Sequence, residues 1–148
     1  MATRKALVLV SGEIQQLQAG DTLGGTSETG QLSLTNQDAA STAIGDVMYL
    51  FTTGDQVKKA KADASGTADG VCIALAVIAN GASGIFQFNG VVVGLSGLTP
   101  GATYYLSAAT AGLMTTTPPS TLGQYVVRLG KAVSATEFDL RPERAILL

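Results

Sequence analysis

Residues 71–78 read VCIALAVI and make up most of the longest apolar run in the chain; a second run, VVVGL, follows at residues 91–95. Both runs are short, rich in β-branched residues and flanked by glycine, aspartate or asparagine, which is typical of buried strands. Neighbouring side chains of a strand point to opposite faces, so consecutive apolar residues need cover on both sides. Two arrangements provide it: a central strand between two packed layers, or a strand at a subunit interface.

Further β-prone segments surround these two runs at the spacing that is typical of sandwiches and barrels. They span residues 5–10, 31–35, 46–51, 57–61, 84–88, 103–107, 113–116, 125–129, 131–134 and 137–140. One short helical turn is expected around residues 35–43, where Thr35 or Asn36 could cap it and Gly45 could end it. The sequence predicts a mainly β fold: a small β-sandwich or β-barrel (β-tulip-like) domain with an extended N-terminal arm.

The composition divides the chain into two parts. Residues 18–43 are polar, rich in glycine, threonine and glutamine, and lack a hydrophobic period. Such a tract buries too little apolar surface to order itself, so residues 1–43 are predicted to form an arm that a partner orders. The long apolar runs and all the aromatic residues lie in residues 44–148, which are predicted to form the β-rich domain.

The overall composition excludes several classes of function. With 148 residues and a net charge of −2, the chain has the size of one domain and no electrostatic footprint for nucleic acid. The absence of histidine removes nucleophile–histidine dyads and the commonest metal ligand, so no catalytic residue, metal or cofactor is expected. The single cysteine, Cys72, is expected to be a small buried hydrophobe. No apolar stretch is long enough to cross a membrane, so no membrane partner is expected.

Three carboxylates near the end of the sequence are the best candidates for hydrolytic chemistry. Glu137 and Asp139 fall on one face of a predicted strand, and Glu143 follows closely. Arg141 and Arg144 lie among them, which favours a solvated, salt-bridged edge over a catalytic pair. A small β-fold enzyme is therefore the weakest of the functional hypotheses.

Two other groups of polar residues have ordinary structural explanations. Lys58, Lys59 and Lys61 resemble the charges that keep an edge strand from pairing with other chains. Tyr104 and Tyr105 could stack on a sugar, but adjacent strand residues face opposite ways, so at most one of them is available to a ligand.

The C-terminal part of the chain carries distinct turn signals. In GLTPGATYYLSAATAGLMTTTPPS, residues 97–120, a turn is predicted at Pro100–Gly101, and the double proline at 118–119 ends the strand pair. In GQYVVRLGKAVSATEFDLRPERAILL, residues 123–148, two strands are predicted to join at Gly130. These patterns, together with the opening RKALVLVSGEIQQLQAGDTL at residues 4–23, resemble structural proteins of tailed-bacteriophage virions. The middle of the chain, with GTADGVCIALA at residues 66–76, resembles the β-domain of lambda-type head decoration proteins.

The resemblance implies a capsid decoration (cement) protein on the surface of the virion. Its expected partners are the major capsid protein and further copies of itself, as a homo-oligomer, most simply a trimer. The candidate capsid or subunit contacts are Leu17, Leu23, Leu32, Leu34, Val91, Val92 and Val93. The alternative is a tail-fibre or receptor-binding component of the virion, in which Tyr104 or Tyr105 would contact a glycan.

Overall fold

The computed structural model describes residues 7–10, 13–16, 30–51 and 54–148. In these residues the chain forms short strands and one 3-10 helix, Ser65–Thr67. The strands are β1 Leu7–Val10, β2 Glu13–Gln16, β3 Gln31–Asn36, β4 Val47–Leu50, β5 Gln56–Lys59, β6 Val71–Ala74, β7 Ser83–Gln87, β8 Gly90–Val93, β9 Thr103–Leu106, β10 Met114–Thr115, β11 Tyr125–Val126, β12 Arg128–Ala132, β13 Glu137–Leu140 and β14 Ile146–Leu147. The mainly β fold predicted from the sequence is confirmed. None of the helical structure in the described residues is long and apolar enough to cross a membrane.

Two larger sheets form the body of the molecule. Strands β3, β5, β4, β6 and β7 close into a barrel, in which β3 runs parallel to β5 and antiparallel to β7. The second is an antiparallel sheet of five strands in the order β10-β9-β12-β13-β8. Two small pairs, β1–β2 and β11–β14, lie outside these sheets.

The barrel and the five-stranded sheet share a core because two barrel strands bury side chains on both faces. In β6, Cys72 and Ala74 pack inside the barrel, whereas Val71 and Ile73 pack between the barrel and the sheet. In β4, Met48 packs inside the barrel, whereas Val47 packs between the barrel and the sheet. The five-stranded sheet contributes mainly large residues to the shared core: Val92, Tyr104, Leu106, Leu129, Phe138 and Leu140. Residues 71–74 of the apolar run are therefore covered within one chain, as the central-strand alternative required. The rest of the predicted strand, residues 75–78, is not part of β6, and Val77 is 70% exposed.

The structure corrects two expectations about residues 30–43. They form no helical turn, because β3 ends at Asn36. The side-chain Nδ2 atom of Asn36 donates to the carbonyl oxygens of Ile78 (2.9 Å) and Ala40 (3.0 Å). They also do not belong to an arm, because β3 pairs with β7 over five residues and places Leu34 inside the barrel. Thr42 continues the attachment, since its hydroxyl donates to the carbonyl of Ala76 and accepts from the amide of Ile78, both at 2.8 Å. The barrel begins at about residue 30, so any arm is confined to the residues before it.

The predicted joint at Gly130 is also wrong. Gly130 lies inside β12 at a shift in register against β9, with φ of +151°. A Cβ atom placed there would lie 2.0 Å from the backbone oxygen of Asp139 in β13. This glycine therefore allows close approach of two strands rather than forming a turn.

Candidate interaction surface

Strand β8 is an edge of the five-stranded sheet. It pairs with β13 on one side, with Val92 opposite Phe138 and Val93 opposite Glu137. Its four residues are one glycine and three valines, and no charged residue or proline lies among them. The opposite edge, β10, has only two residues and is followed by Pro118 and Pro119. Since charges, prolines and short length are the usual protection of sheet edges, β8 is the less protected of the two.

The hydrogen bonds of β13 show which backbone groups of β8 face outward. The carbonyl of Glu137 accepts from Val133 at 2.9 Å, and the amide of Arg141 donates to Leu129 at 2.8 Å, so odd-numbered residues of β13 face β12. The even-numbered residue Phe138 therefore faces β8 and pairs with Val92. It follows that the amide and carbonyl groups of Val91 and Val93 point away from β13.

Gln87 occupies part of this outward edge. Its side-chain nitrogen donates to the carbonyl of Val91 at 3.1 Å and to that of Asn89 at 2.9 Å. Gln87 is a buried polar residue, so this contact is built into the fold. Within the described residues, the amide of Val91 and both backbone groups of Val93 have no hydrogen-bond partner.

The side chains of β8 add an apolar strip to this edge. Val91 is 53% exposed and Val93 is 63% exposed, whereas Val92 is fully buried in the shared core. Across the ladder, Val93 lies opposite Glu137 and Val91 lies opposite Asp139. The outer face of the sheet therefore combines two exposed valines with an adjacent acidic row.

The N-terminal end of the barrel lies beside this edge. The amide of Phe88 donates to the carbonyl of Gly30 at 2.8 Å, and a Cβ atom on Gly30 would overlap the side chain of Asn89. Gln31 bonds to Gln87 at 3.2 Å, and Gln87 in turn bonds to Val91. Leu32, the next residue of β3, is 52% exposed. The chain therefore enters the barrel at the corner where β8 begins.

The structure divides the predicted contact residues into three groups. Leu32, Val91 and Val93 are exposed and lie on β3 and β8. Leu34 is only 5% exposed and Val92 is fully buried, so these two are core residues and not available contacts, contrary to expectation. Leu17 and Leu23 lie outside the described residues. Alternation along β8 separates Val92 from Val91 and Val93. Leu32 and Leu34 share a face of β3, and they differ because only Leu34 is covered by the rest of the barrel.

The C-terminal carboxylates form salt bridges, as predicted, but not at a sheet edge, because β13 lies between β12 and β8. The Arg141 Nε atom lies 3.0 Å from Asp139 Oδ2, and Arg128 pairs with Glu143. Glu137 accepts from the hydroxyl of Ser134 at 3.4 Å. Two of the three carboxylates are thus engaged by arginine.

The three lysines do not guard an edge strand, contrary to the prediction, because β5 lies between β3 and β4 in the barrel. Lys59 pairs with the buried Asp46 (3.1 Å), and Lys61 pairs with Asp63 (2.8 Å). The Lys58 ammonium lies 4.0 Å from the ring centre of Phe51.

The other candidates for reactivity or ligand binding are buried or half-buried residues of the fold. Tyr104 is buried, stacks edge-on against Phe138, and accepts a hydrogen bond from the amide of Thr99 at 2.9 Å. Tyr105 is half-buried on the opposite face of β9. Cys72 is buried as predicted, and burial raises the pKa of its thiol. Among the described residues, no three metal-ligating side chains of His, Cys, Asp or Glu come together.

Two apolar features were not predicted from the sequence. A groove of about 310 Å³ lies where the barrel meets the five-stranded sheet, between Ile44, Leu98 and Met114. Just before β11, Leu122 is 88% exposed, and Ile146 and Leu147 of the small β11–β14 sheet are also exposed. Each feature combines residues that are distant in sequence, so no local pattern could have shown it.

A scan against protein-family models finds no match to the chain, and a search of curated proteins finds no significant match.

Proposed function

We propose that the protein is a capsid decoration (cement) protein of a tailed bacteriophage. It would bind the outer surface of the major capsid protein as a homo-oligomer, most simply a trimer, and stabilise the head against the pressure of packaged DNA. The role is mechanical and uses no cofactor. The sequence resemblance supports the class of protein.

One observation in the structure carries the proposal. Exposed apolar side chains, Leu32 on β3 and Val91 and Val93 on β8, lie on the two strands that meet at the corner where the N-terminal part of the chain enters the barrel. Exposed apolar side chains at one part of a protein surface are typical of protein–protein contacts. We assign Leu32 and the segment before it, residues 17–31, to the capsid contact, and the valines of β8 to the contact between copies.

The proposed mechanism is the burial of apolar surface across neighbouring capsid subunits. Each square ångström of apolar surface removed from water contributes about 25 cal/mol, and a stable contact buries on the order of 1,200–2,000 Å² in total. One exposed leucine cannot supply this area. The proposal therefore assigns the rest of the area to residues 17–29, which precede the barrel in the sequence.

The decisive experiment is co-sedimentation with capsids that lack the protein. A truncated chain that begins at Gly30 retains β3 and is expected to keep the barrel folded, but to sediment with capsids much less than the full chain does. The point variant Leu32→Ser, which leaves the N-terminal residues in place, should also reduce co-sedimentation. The matched control is Val77→Ser, which alters a 70% exposed valine in the loop between β6 and β7.

Two results would contradict the proposal. Undiminished binding by the truncated chain would show that the N-terminal residues are a passive leader. Binding of the full chain to host cells or glycans, with none to capsids, would instead support the tail-fibre alternative.

A further inference from the structure

We propose that the outward edge of β8 accepts strand β1 of a second copy of this chain, so that copies exchange their β1–β2 hairpins. The added strand would extend the five-stranded sheet by β-strand addition. This inference concerns self-association alone and does not depend on the capsid role.

The edge offers backbone groups in the geometry that strand addition uses. The amides of Val91 and Val93 and the carbonyl of Val93 point away from β13 and have no partner within the described residues. The fourth group, the carbonyl of Val91, is already held by Gln87 at 3.1 Å. An incoming strand would therefore bond around Val93, at the end of β8 remote from the Asn89 turn.

The β1–β2 hairpin is the element of this chain that needs such an edge. It forms a two-stranded sheet by itself, with Leu7 opposite Gln16 and Val10 opposite Glu13. An isolated two-stranded hairpin is marginally stable in water, and a third strand is needed for independent stability. β8 would supply that strand.

Charge favours β1 as the strand that pairs. In the sequence, Arg4 and Lys5 precede β1, with Ala6 between them and the strand. On the receiving side, Glu137 and Asp139 lie in the ladder next to Val93 and Val91. Asp139 already has Arg141, whereas among the described residues the side chain of Glu137 has only the hydroxyl of Ser134 as a side-chain partner. A basic segment beside β8 would supply Glu137 with a cation.

The topology of the single chain favours a second copy over the same chain. Within one chain, the β1–β2 hairpin and the five-stranded sheet that ends in β8 are two separate sheets, each with open edges. The 13 residues at positions 17–29 connect the hairpin to Gly30, next to the start of β8. Fully extended, this connection spans about 46 Å, which is enough to reach a neighbouring copy. Each copy would give one hairpin and receive one, so the assembly can close symmetrically, as in the proposed trimer.

Disulfide trapping between two variants, each with one introduced cysteine, tests the exchange. Val93→Cys is mixed with either Val8→Cys or Leu9→Cys; adjacent residues of a strand face opposite ways, so one of the two shares the face of Val93. The buried Cys72 stays in place in all variants because it is protected. One variant carries a ¹⁵N label, and peptide mapping after mild oxidation identifies disulfides between labelled and unlabelled chains. We expect a cross-link between position 93 and position 8 or 9 of different chains.

A chain that carries both cysteines is the control for same-chain pairing. If the double variant forms the link within one chain while the mixture forms none, the hairpin docks on its own β8 and the exchange is refuted. If neither sample links, the edge does not accept β1 at all.

A proline substitution tests whether backbone pairing drives the association. Val93→Pro removes only an amide that faces away from β13, so the sheet should keep its ladder and its thermal transition. The dissociation constant for self-association should rise about tenfold, as the loss of an edge hydrogen bond and the added steric block imply. The matched variant Val93→Ala keeps the amide and should have the smaller effect. Equal effects of the two substitutions would overturn backbone pairing in favour of side-chain packing.

Discussion

Leu32 and Leu34 of β3 provide a test of the barrel with two matched substitutions. Both are leucines on the same strand, two residues apart, but Leu34 is 5% exposed and Leu32 is 52% exposed. Leu34 packs in the barrel with Met48, Cys72 and Phe86. Leu34→Ala leaves a cavity among these residues, whereas Leu32→Ala removes a side chain that is already half in water.

The expected difference in stability is large enough to measure. Leu34→Ala should lower the free energy of unfolding by about 2–4 kcal/mol, the usual cost for a buried leucine. At roughly 4 °C per kcal/mol for a domain of this size, Tm should fall by about 8–16 °C. Leu32→Ala should cost below about 1 kcal/mol, since only part of the side chain leaves an apolar environment.

Thermal unfolding followed by circular dichroism, supported by urea titration, measures both changes. Leu34→Ala should leave capsid binding intact at temperatures well below its Tm, whereas Leu32→Ala should weaken capsid binding with little loss of stability. Equal destabilisation by the two substitutions would refute the pairing of β3 with β7 and, with it, the barrel's starting point at residue 30.

Three further outcomes follow from single side chains. Gly130→Ala should destabilise the protein by several kcal/mol because its Cβ atom would overlap Asp139 O, whereas Gly66→Ala, with open space around it, should change Tm little; comparable unfolding curves would contradict the close approach of β12 and β13. Cys72 should react with a thiol reagent at pH 8 only after denaturation, because it is buried and its pKa is raised; fast reaction of the native protein would be inconsistent with this core. A hydrogen bond from Lys61 lowers the pKa of Asp63, so the interaction is present above the usual aspartate pKa and is lost as the pH falls through the lowered value. Lys61→Gln should therefore raise the midpoint of the Asp63 carboxyl in an NMR titration. An unchanged midpoint would reject Lys61 as the cause.

The sequence allowed most strands to be placed because their signals are local. The predicted segments 137–140 and 103–107 correspond to β13 and β9, where alternating buried and half-buried residues follow the pattern of the sequence. The turn predicted at Pro100–Gly101 is present: Ala102 donates to Thr99 at 3.0 Å, and Gly101 has φ of +78°. Strand periodicity and turn residues act over a few positions and need no knowledge of the partner strand.

Elements that depend on distant partners could not be predicted in this way. β14 has only two residues and exists because Ile146 and Leu147 pair with β11. Asn36 is a residue type that often caps helices, yet its side-chain amide donates a hydrogen bond to the carbonyl of Ile78, 42 residues away. The contact residues show the same limit: the sequence grouped Leu34 with Leu32 and Val92 with its neighbours, and only the closed barrel and the shared core separate the buried from the exposed members.

The division of apolar surface within the chain determines where assembly can occur. The run at 71–74 needs no partner, because β6 serves two cores at once. The sequence indicated that the apolar residues at 91–95 need to be covered on both faces of the strand. In the structure, only Val91 and Val93 of these residues keep exposed apolar side chains, on one face of the four-residue strand β8. Such an edge is short against the 1,200–2,000 Å² or so that a stable interface buries. A single exchanged hairpin should therefore bind weakly, and closure of a symmetric ring, in which each copy makes two such contacts, should supply the remaining stability through effective concentration.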